Sequence, residues 1–87
     1  MSDTKDSQIT VYSATWCGFC HQAKKYFDHI GVTYTDKDIE KEPAAMGEAV
    51  AKSGQMGIPV IDIAGDVIIG FDKQKIDAAL KTHHLVK

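Results

Sequence analysis

The sequence predicts an α/β fold in which a four-stranded mixed sheet is flanked by three helices, in the order β-α-β-α-β-β-α. Segments with the alternation and β-branched composition of strands are interleaved with segments whose apolar residues recur at helical spacing. Residues typical of helix ends and tight turns lie between these segments. The chain has 87 residues, the size of one domain, so we expect a single domain over residues 1–87.

The first half of the chain is predicted to form a strand, a helix and a second strand. Residues 8–13 alternate and are rich in β-branched and aromatic side chains. From Gly18 to about Ile30 a helix is predicted, and Gly31 is placed to end it. Residues 32–35 again have strand composition, so a right-handed crossover should join two parallel strands. The apolar positions of the helix are Phe19, Ala23, Phe27 and Ile30.

The second half is predicted to form a helix, a hairpin and a last helix after a charged connection over residues 36–42. Pro43 suits the first turn of a helix that Ser53-Gly54 closes, with Met46, Ala49 and Val50 as its buried stripe. The apolar residues 60–63 and 67–69 flank turn residues and predict an antiparallel hairpin. Asp72 is a good N-cap for a last helix, which buries Ile76, Ala79 and Leu80.

The two cysteines of the chain, Cys17 and Cys20, lie three positions apart. If Gly18 opens the helix, Cys17 is its N-cap, where unpaired backbone N–H groups and the helix dipole stabilise a thiolate. In such pairs the pKa of the first thiol falls from roughly 8.5 to about 3.5–7.5, and the second thiol is close enough to form a disulfide. We therefore predict a dithiol switch where the first strand meets the first helix.

Other chemistries for this pair are less consistent with the sequence. The run from Cys17 to His21 fits the pattern of covalent haem attachment, but the chain is strand-rich and has no apolar export segment. Zinc needs four ligands, and His83 and His84 are expected to be solvated at the end of the last helix. Two buried structural thiols are disfavoured by the neighbouring glycine and tryptophan. We expect no metal site.

Charge and hydropathy limit the partners of the protein. The net charge is −2 and every basic residue is a lysine, without the basic cluster that nucleic-acid binding requires. Residues 1–7 are polar, and no apolar run approaches the roughly 18 residues of a membrane span. We therefore expect a monomeric cytoplasmic protein with no nucleic-acid or membrane partner. In that compartment a cysteine pair is catalytic or binds metal more often than it is a structural disulfide.

Three motifs together resemble the glutaredoxins and NrdH-type redoxins of the thioredoxin superfamily, over nearly the whole chain. They are Cys17-Gly18-Phe19-Cys20, Ile58-Pro59 and Gly70-Phe71-Asp72. The resemblance implies a thioredoxin-like, glutaredoxin-type fold and a thiol–disulfide oxidoreductase that reduces protein or mixed disulfides. It implies that Cys17 is the nucleophile and Cys20 the resolving thiol. It also implies that a cis peptide bond precedes Pro59 and that Ile58 offers backbone hydrogen bonds to the bound thiol substrate.

Residues around the dithiol are expected to bind the substrate. We assign Trp16, Phe19 and Phe71 to an apolar partner-binding surface. Gln55 is a candidate to hydrogen-bond a substrate carboxylate, with plain solvation in its loop as the alternative. The backbone N–H groups at the start of the last helix, around Asp72, could receive a carboxylate of glutathione.

The sequence also departs from the glutaredoxin pattern. Ala14 and Gly57 stand where a lysine and a threonine are common, which weakens the glutathione site, and Gly70-Phe71 follows the NrdH type. The resemblance therefore implies thioredoxin reductase or glutathione as the reductant, disulfide-containing proteins as substrates, and no tightly bound cofactor. Gly18 also fits glutaredoxins that share an iron–sulfur cluster between two chains, so a glutathione-assisted cluster carrier is the alternative function.

Overall fold

The computed structural model of the protein describes residues 8–55 and 57–83. The polar start, Met56 and the terminal residues from His84 onward lie outside the described residues. The elements follow in the predicted order, as β1 (Ile9–Ser13), α1 (Gly18–Ile30), β2 (Thr35–Asp38), α2 (Pro43–Ser53), β3 (Val60–Ile63), β4 (Asp66–Ile69) and α3 (Lys73–Thr82). No helix within the described ranges is long and apolar enough to cross a membrane.

The four strands form one mixed sheet in the order β2-β1-β3-β4. β1 pairs with β2 in parallel and with β3 in antiparallel, and β3 and β4 form the predicted hairpin. The central strands β1 and β3 are mostly buried, whereas β2 and β4 form the edges of the sheet. Because successive side chains of a strand point to opposite faces, the sheet separates two apolar clusters.

The two clusters draw on different helices. The larger cluster joins β1, β3 and β4 to α1 and α3, and contains Ile9, Val11, Ala23, Phe27, Ile61, Ile63, Ile68, Ile76, Ala79 and Leu80. The second cluster joins β1 and β3 to α2 and to the start of α1, and contains Tyr12, Ala14, Cys17, Cys20, Ile39, Ala45, Ala49 and Val60. Both cysteines therefore belong to the second cluster, which we call the cysteine cluster.

The ends of the helices are where the sequence places them. Gly31 and Gly54 follow α1 and α2 in the left-handed conformation, with φ of 75° and 73°, which glycine adopts without strain. Cys17 and Asp72 are the N-caps of α1 and α3, and the side chain of each accepts a backbone hydrogen bond from the residue three positions later. Local capping rules therefore identify these boundaries.

The second strand is not where the sequence predicted it. The prediction was residues 32–35, but β2 is Thr35–Asp38, which shares only Thr35 with the predicted strand and otherwise lies in the expected charged connection. The Val32 N–H donates to the Phe27 carbonyl at the end of α1, and the Tyr34 ring packs 5.7 Å from the Phe27 ring, so residues 32–34 complete the core as a loop. The charged residues that follow are tolerated in a strand because β2 is an edge of the sheet.

Three smaller expectations were also wrong. In α2 the buried residues are Ala45 and Ala49, while Met46 and Val50 are only half-buried. In α1, Phe19 is exposed because Cys20, one position further round the helix, lies on the buried face with Ala23 and Phe27. The last strand, β4, starts one residue earlier than predicted, at Asp66.

Candidate functional site

Cys17 and Cys20 are joined by a disulfide bond, with 5.2 Å between their Cα atoms. Cys17 keeps 6% of its surface exposed, whereas Cys20 is fully buried. The two sulfurs therefore differ in access, and an incoming group can reach Cys17 more readily than Cys20. The structure brings together the pair that the sequence singled out.

The sulfur of Cys17 lies at the N-terminus of α1. Its Sγ accepts a hydrogen bond from the Cys20 N–H at 3.1 Å, and the residue has the extended backbone of an N-cap. The first turn of α1 contains no acidic residue. Backbone donors and the positive end of the helix dipole, unopposed by a carboxylate in that turn, favour a negative charge on this sulfur when the disulfide is reduced.

The loop between β1 and Cys17 is held by three hydrogen bonds. The Cys17 N–H donates to the Ala14 carbonyl at 3.1 Å, and the hydroxyl of Thr15 donates to Glu40 at 3.2 Å. The Nε2 atom of His21 lies 2.9 Å from the Thr15 carbonyl oxygen and can donate to it. Sequence reasoning missed His21 as a loop contact, since only the turn of α1 brings its ring back over residue 15.

Two aromatic side chains next to the cysteines in the sequence are open to solvent. Trp16 is 68% exposed and Phe19 is 63% exposed. Ala14, by contrast, is 1% exposed and belongs to the cysteine cluster. A lysine at position 14, as in many glutaredoxins, would have to pass its aliphatic chain through the packed cysteine cluster before its ammonium group reached solvent.

The Ile58–Pro59 peptide bond is cis, as the family resemblance implied. Pro59 is buried, and Ile58 is half-buried and packs against the cysteine cluster. The Pro59 carbonyl accepts a hydrogen bond from the Gly70 N–H at 2.8 Å, which ties the segment before β3 to the segment before α3. The structure thus places the Ile58-Pro59 step against the cluster that holds the dithiol.

Gln55 is engaged with its own loop. Its side-chain oxygen accepts from the Gly57 N–H at 2.6 Å, and its Nε2 donates to the Gly57 carbonyl at 2.8 Å. The Nε2 atom is also 3.4 Å from the hydroxyl of Ser53. In this structure the amide that we considered for a substrate carboxylate is therefore paired with backbone two residues away.

The segment before α3 combines a helix cap with a tether to α1. Asp72 accepts from the Lys75 N–H at 3.2 Å, and the half-buried Phe71 ring lies 5.9 Å from the Tyr26 ring. The Tyr26 hydroxyl donates to Asp77. This hydrogen bond, together with burial and the negative charge of Asp77, raises the pKa of Tyr26 from 10.0 to about 12. Phe71 is thus packed on α1 beside the larger cluster instead of standing free.

Among residues 8–55 and 57–83, no three His, Cys, Asp or Glu side chains lie together as metal ligands would. The chemistry that this part of the chain offers at the site is that of two neighbouring sulfurs.

Comparisons with known proteins match this fold and its cysteine pair. The family model for glutaredoxin matches residues 9–68. An uncharacterized glutaredoxin-like 8.6 kDa protein, from the rubredoxin operon of Clostridium pasteurianum, is 32% identical over 73 residues, which cover 84% of this chain and 97% of that protein.

Solved structures of two kinds of redoxin also match. The buckwheat glutaredoxin–glutathione complex is 27% identical with a TM-score of 0.73, and the match covers 92% of this chain and 82% of that one. The glutaredoxin-like NrdH-redoxin of Escherichia coli is 26% identical with a TM-score of 0.71, and the match covers 80% of this chain and 91% of that one. The fold implied by the sequence motifs is therefore confirmed.

Proposed function

This chain belongs to the glutaredoxin family, and from that membership we propose that it reduces protein and mixed disulfides by cycling Cys17 and Cys20 between dithiol and disulfide. The observation that carries the proposal is the unequal placement of the two sulfurs. Cys17 is at a helix N-terminus and keeps 6% of its surface exposed, while Cys20 lies inside the first turn and is fully buried. That arrangement suits a nucleophile and a resolving thiol.

The reaction has two exchange steps. The Cys17 thiolate attacks one sulfur of the substrate disulfide, so that a mixed disulfide forms and the other substrate sulfur leaves as a thiolate and takes up a proton. Cys20 then loses its proton and attacks the Cys17 sulfur, which releases the second substrate thiol and leaves the Cys17–Cys20 disulfide. Two electrons from a reductant must reopen that disulfide before the next cycle.

We propose that several residues near the cysteine pair bind the substrate in this cycle. The exposed rings of Trp16 and Phe19, which are close to Cys17 in the sequence, offer apolar contact area for a substrate. The backbone of Ile58 is available for hydrogen bonds to an extended substrate, by analogy with the family. The start of α3 at Asp72 can receive an anionic group on its backbone N–H groups.

For the reductant we propose thioredoxin reductase, with glutathione as a slower donor, in the cytoplasm. Ala14 and Gly57 replace the lysine and threonine of a glutathione site, and Ala14 is buried. Losing one charge-assisted contact costs roughly 1.5–3 kcal/mol, or about one to two powers of ten in affinity. The E. coli NrdH-redoxin, a structural neighbour, has a thioredoxin-like activity profile, whereas the buckwheat neighbour binds glutathione.

Coupled assays with NADPH test both parts of this proposal. One assay supplies thioredoxin reductase, the other glutathione with glutathione reductase, and both use insulin or a small disulfide as substrate. We expect NADPH consumption in both, faster with thioredoxin reductase, and none with Cys17→Ser. Efficient turnover with glutathione and none with several thioredoxin reductases would contradict the donor assignment. Inactivity in both assays would contradict the proposed function.

A further inference from the structure

We propose that Gln55 is a positioning residue for the substrate-binding segment Gly57-Ile58-Pro59, and that position 57 is glycine because the Gln55 amide occupies the space of a side chain there. This inference rests on the proposed function, since it assigns the role of Gln55 within the same site. It replaces the expectation that Gln55 contacts the substrate.

The geometry pairs the Gln55 amide with the backbone of Gly57 at both ends. The side-chain oxygen accepts from the Gly57 N–H at 2.6 Å, and Nε2 donates to the Gly57 carbonyl at 2.8 Å. Bonding both backbone groups of one residue is the pattern that a neighbouring strand makes in an antiparallel pair. The Gln55 side chain thus acts as a short piece of strand beside Gly57, and we call this contact the Gln55 brace.

The brace is anchored to the end of α2. The hydroxyl of Ser53 lies 3.4 Å from the Gln55 Nε2 and 2.7 Å from the Ala49 carbonyl. Ala49 is buried in the cysteine cluster, and Ile58 packs against the same cluster. The brace therefore connects the cysteine cluster to the segment that we propose to bind the substrate.

The absence of a side chain at Gly57 is explained by space and not by backbone conformation. The φ angle of Gly57 lies outside the left-handed region, so its φ angle does not require a glycine. A Cβ atom at this position would lie 2.6 Å from the Gln55 side-chain oxygen, closer than real contacts allow. A side chain at position 57 must therefore displace the end of the Gln55 side chain and change the geometry of its hydrogen bonds to Gly57.

The Gln55 brace limits which backbone groups remain to bind the substrate. The brace uses the donor and the acceptor of Gly57, so the backbone hydrogen bonds expected for a bound substrate fall to Ile58. The Gln55 amide is itself used by Gly57 and Ser53. Gln55 then affects the substrate only through the shape of the segment that it holds.

Three variants test the proposal in the coupled assay, by the KM of a disulfide substrate. We expect Gln55→Ala to raise KM about fivefold with little change in kcat, since the brace adds order and not chemistry. Gly57→Ala should raise KM similarly by displacing Gln55. The double variant should be no worse than either single variant, because both changes remove the same contact. Gly47→Ala is the control and should keep the wild-type KM, since a Cβ atom added at Gly47 would meet no neighbour within 4 Å.

The outcomes separate the two roles of Gln55. If Gln55 bound the substrate directly, Gly57→Ala would free its amide and leave KM unchanged or lower, while Gln55→Ala alone would raise it. That result, or wild-type KM values in all three variants, would overturn the proposal. Gln55→Glu gives a further check. It keeps the acceptor for the Gly57 N–H but loses the donor for the Gly57 carbonyl, so its KM should stay above the wild-type value.

Amide hydrogen exchange tests the brace without activity. The Gly57 amide should exchange about fivefold faster in Gln55→Ala than in the wild type, while amides of β3 keep their rates. Equal Gly57 rates in the two proteins would overturn the brace whatever the enzyme assays give. An inactive wild type with a protected Gly57 amide would instead contradict the proposed function alone.

Discussion

Single residues in this protein take their chemistry from their place on a helix. Cys17 and Cys20 have the same side chain, yet one caps α1 and receives a backbone N–H at 3.1 Å, while the other lies inside the first turn and is fully buried. A thiolate gains from donors and from the dipole only at the cap. Position, and not residue type, is therefore the basis on which we propose Cys17 as the nucleophile and Cys20 as the resolving thiol.

Serine substitutions test these roles separately. Cys17→Ser should abolish disulfide reduction, because no thiolate remains to attack the substrate. Cys20→Ser should still attack but should accumulate a mixed disulfide with the substrate, which mass spectrometry of the intact protein detects. Equal alkylation rates of the two thiols in the reduced wild type near neutral pH would contradict the assignment.

Tyr26 provides a residue-level prediction about pH. Its pKa is raised to about 12, mainly by the hydrogen bond to Asp77, so the folded state favours the neutral phenol. The stabilisation is fully present below pH 10 and is lost as the pH rises towards 12. Tyr26→Phe should lower the free energy of unfolding at pH 7 by about 1–2 kcal/mol and flatten its decline above pH 10, as measured by denaturant titration.

Asp77→Asn is the matched variant for this pH effect. It keeps an acceptor oxygen for the Tyr26 hydroxyl but removes the negative charge, so the pKa of Tyr26 should fall below about 12 while a hydrogen bond remains. The ultraviolet absorbance of tyrosinate follows this titration. An unchanged titration curve in Asp77→Asn would show that the negative charge of Asp77 does not contribute to the raised pKa of Tyr26.

At the scale of elements, the loop before α1 and the segment before α3 are held by different contacts. The loop before α1 is held by contacts to Ala14, Thr15 and His21 and leaves Trp16 exposed. The segment before α3 is held by the Gly70–Pro59 hydrogen bond and by the packing of Phe71 on Tyr26. The first loop therefore presents contact surface, and the second connects α3 to the Pro59 segment and to α1.

The N-cap of α3 should contribute measurably to stability. Asp72→Ala removes the acceptor for the Lys75 N–H and should lower the free energy of unfolding by about 1 kcal/mol. Asp72→Asn keeps an acceptor oxygen at the same place and should retain most of that stability. Chemical denaturation of the three proteins gives the comparison, and equal losses in both variants would mean that the cap hydrogen bond is not the cause.

Across the whole molecule, the sheet separates a purely structural cluster from the cysteine cluster. α1 and α3 cover the larger cluster, while α2 covers the side to which both cysteines belong. The reacting pair is therefore built into one of the two cores, close to Ala14, Ala45 and Ala49.

The oligomeric state distinguishes the proposed function from the cluster-carrier alternative. We expect a colourless monomer of 9.5 kDa by light scattering after anaerobic purification with iron, sulfide and glutathione. A two-chain cluster would bring visible absorption and twice that mass, because each chain would supply Cys17 and one glutathione. A coloured dimer that loses colour and dissociates in air would favour the alternative.

The sequence by itself determined most elements and the reacting pair, because these depend on neighbours within one turn. Helix caps at Cys17 and Asp72, the glycine ends of α1 and α2, and the hairpin of β3 and β4 follow from local rules. The position of the cysteines at a helix start also follows from spacing alone. Membership of the glutaredoxin family could be inferred from three short motifs in this order.

Only the tertiary structure decided which side chains that are far apart in the sequence contact each other. The partner of Tyr26 is Asp77, 51 positions away, and no local pattern selects it. β2 lies three residues later than predicted because Tyr34 packs on Phe27 and the edge of the sheet tolerates charge. The burial of Ala14, the exposure of Phe19 and the pairing of Gln55 with Gly57 likewise depend on the space that the folded chain leaves around each residue.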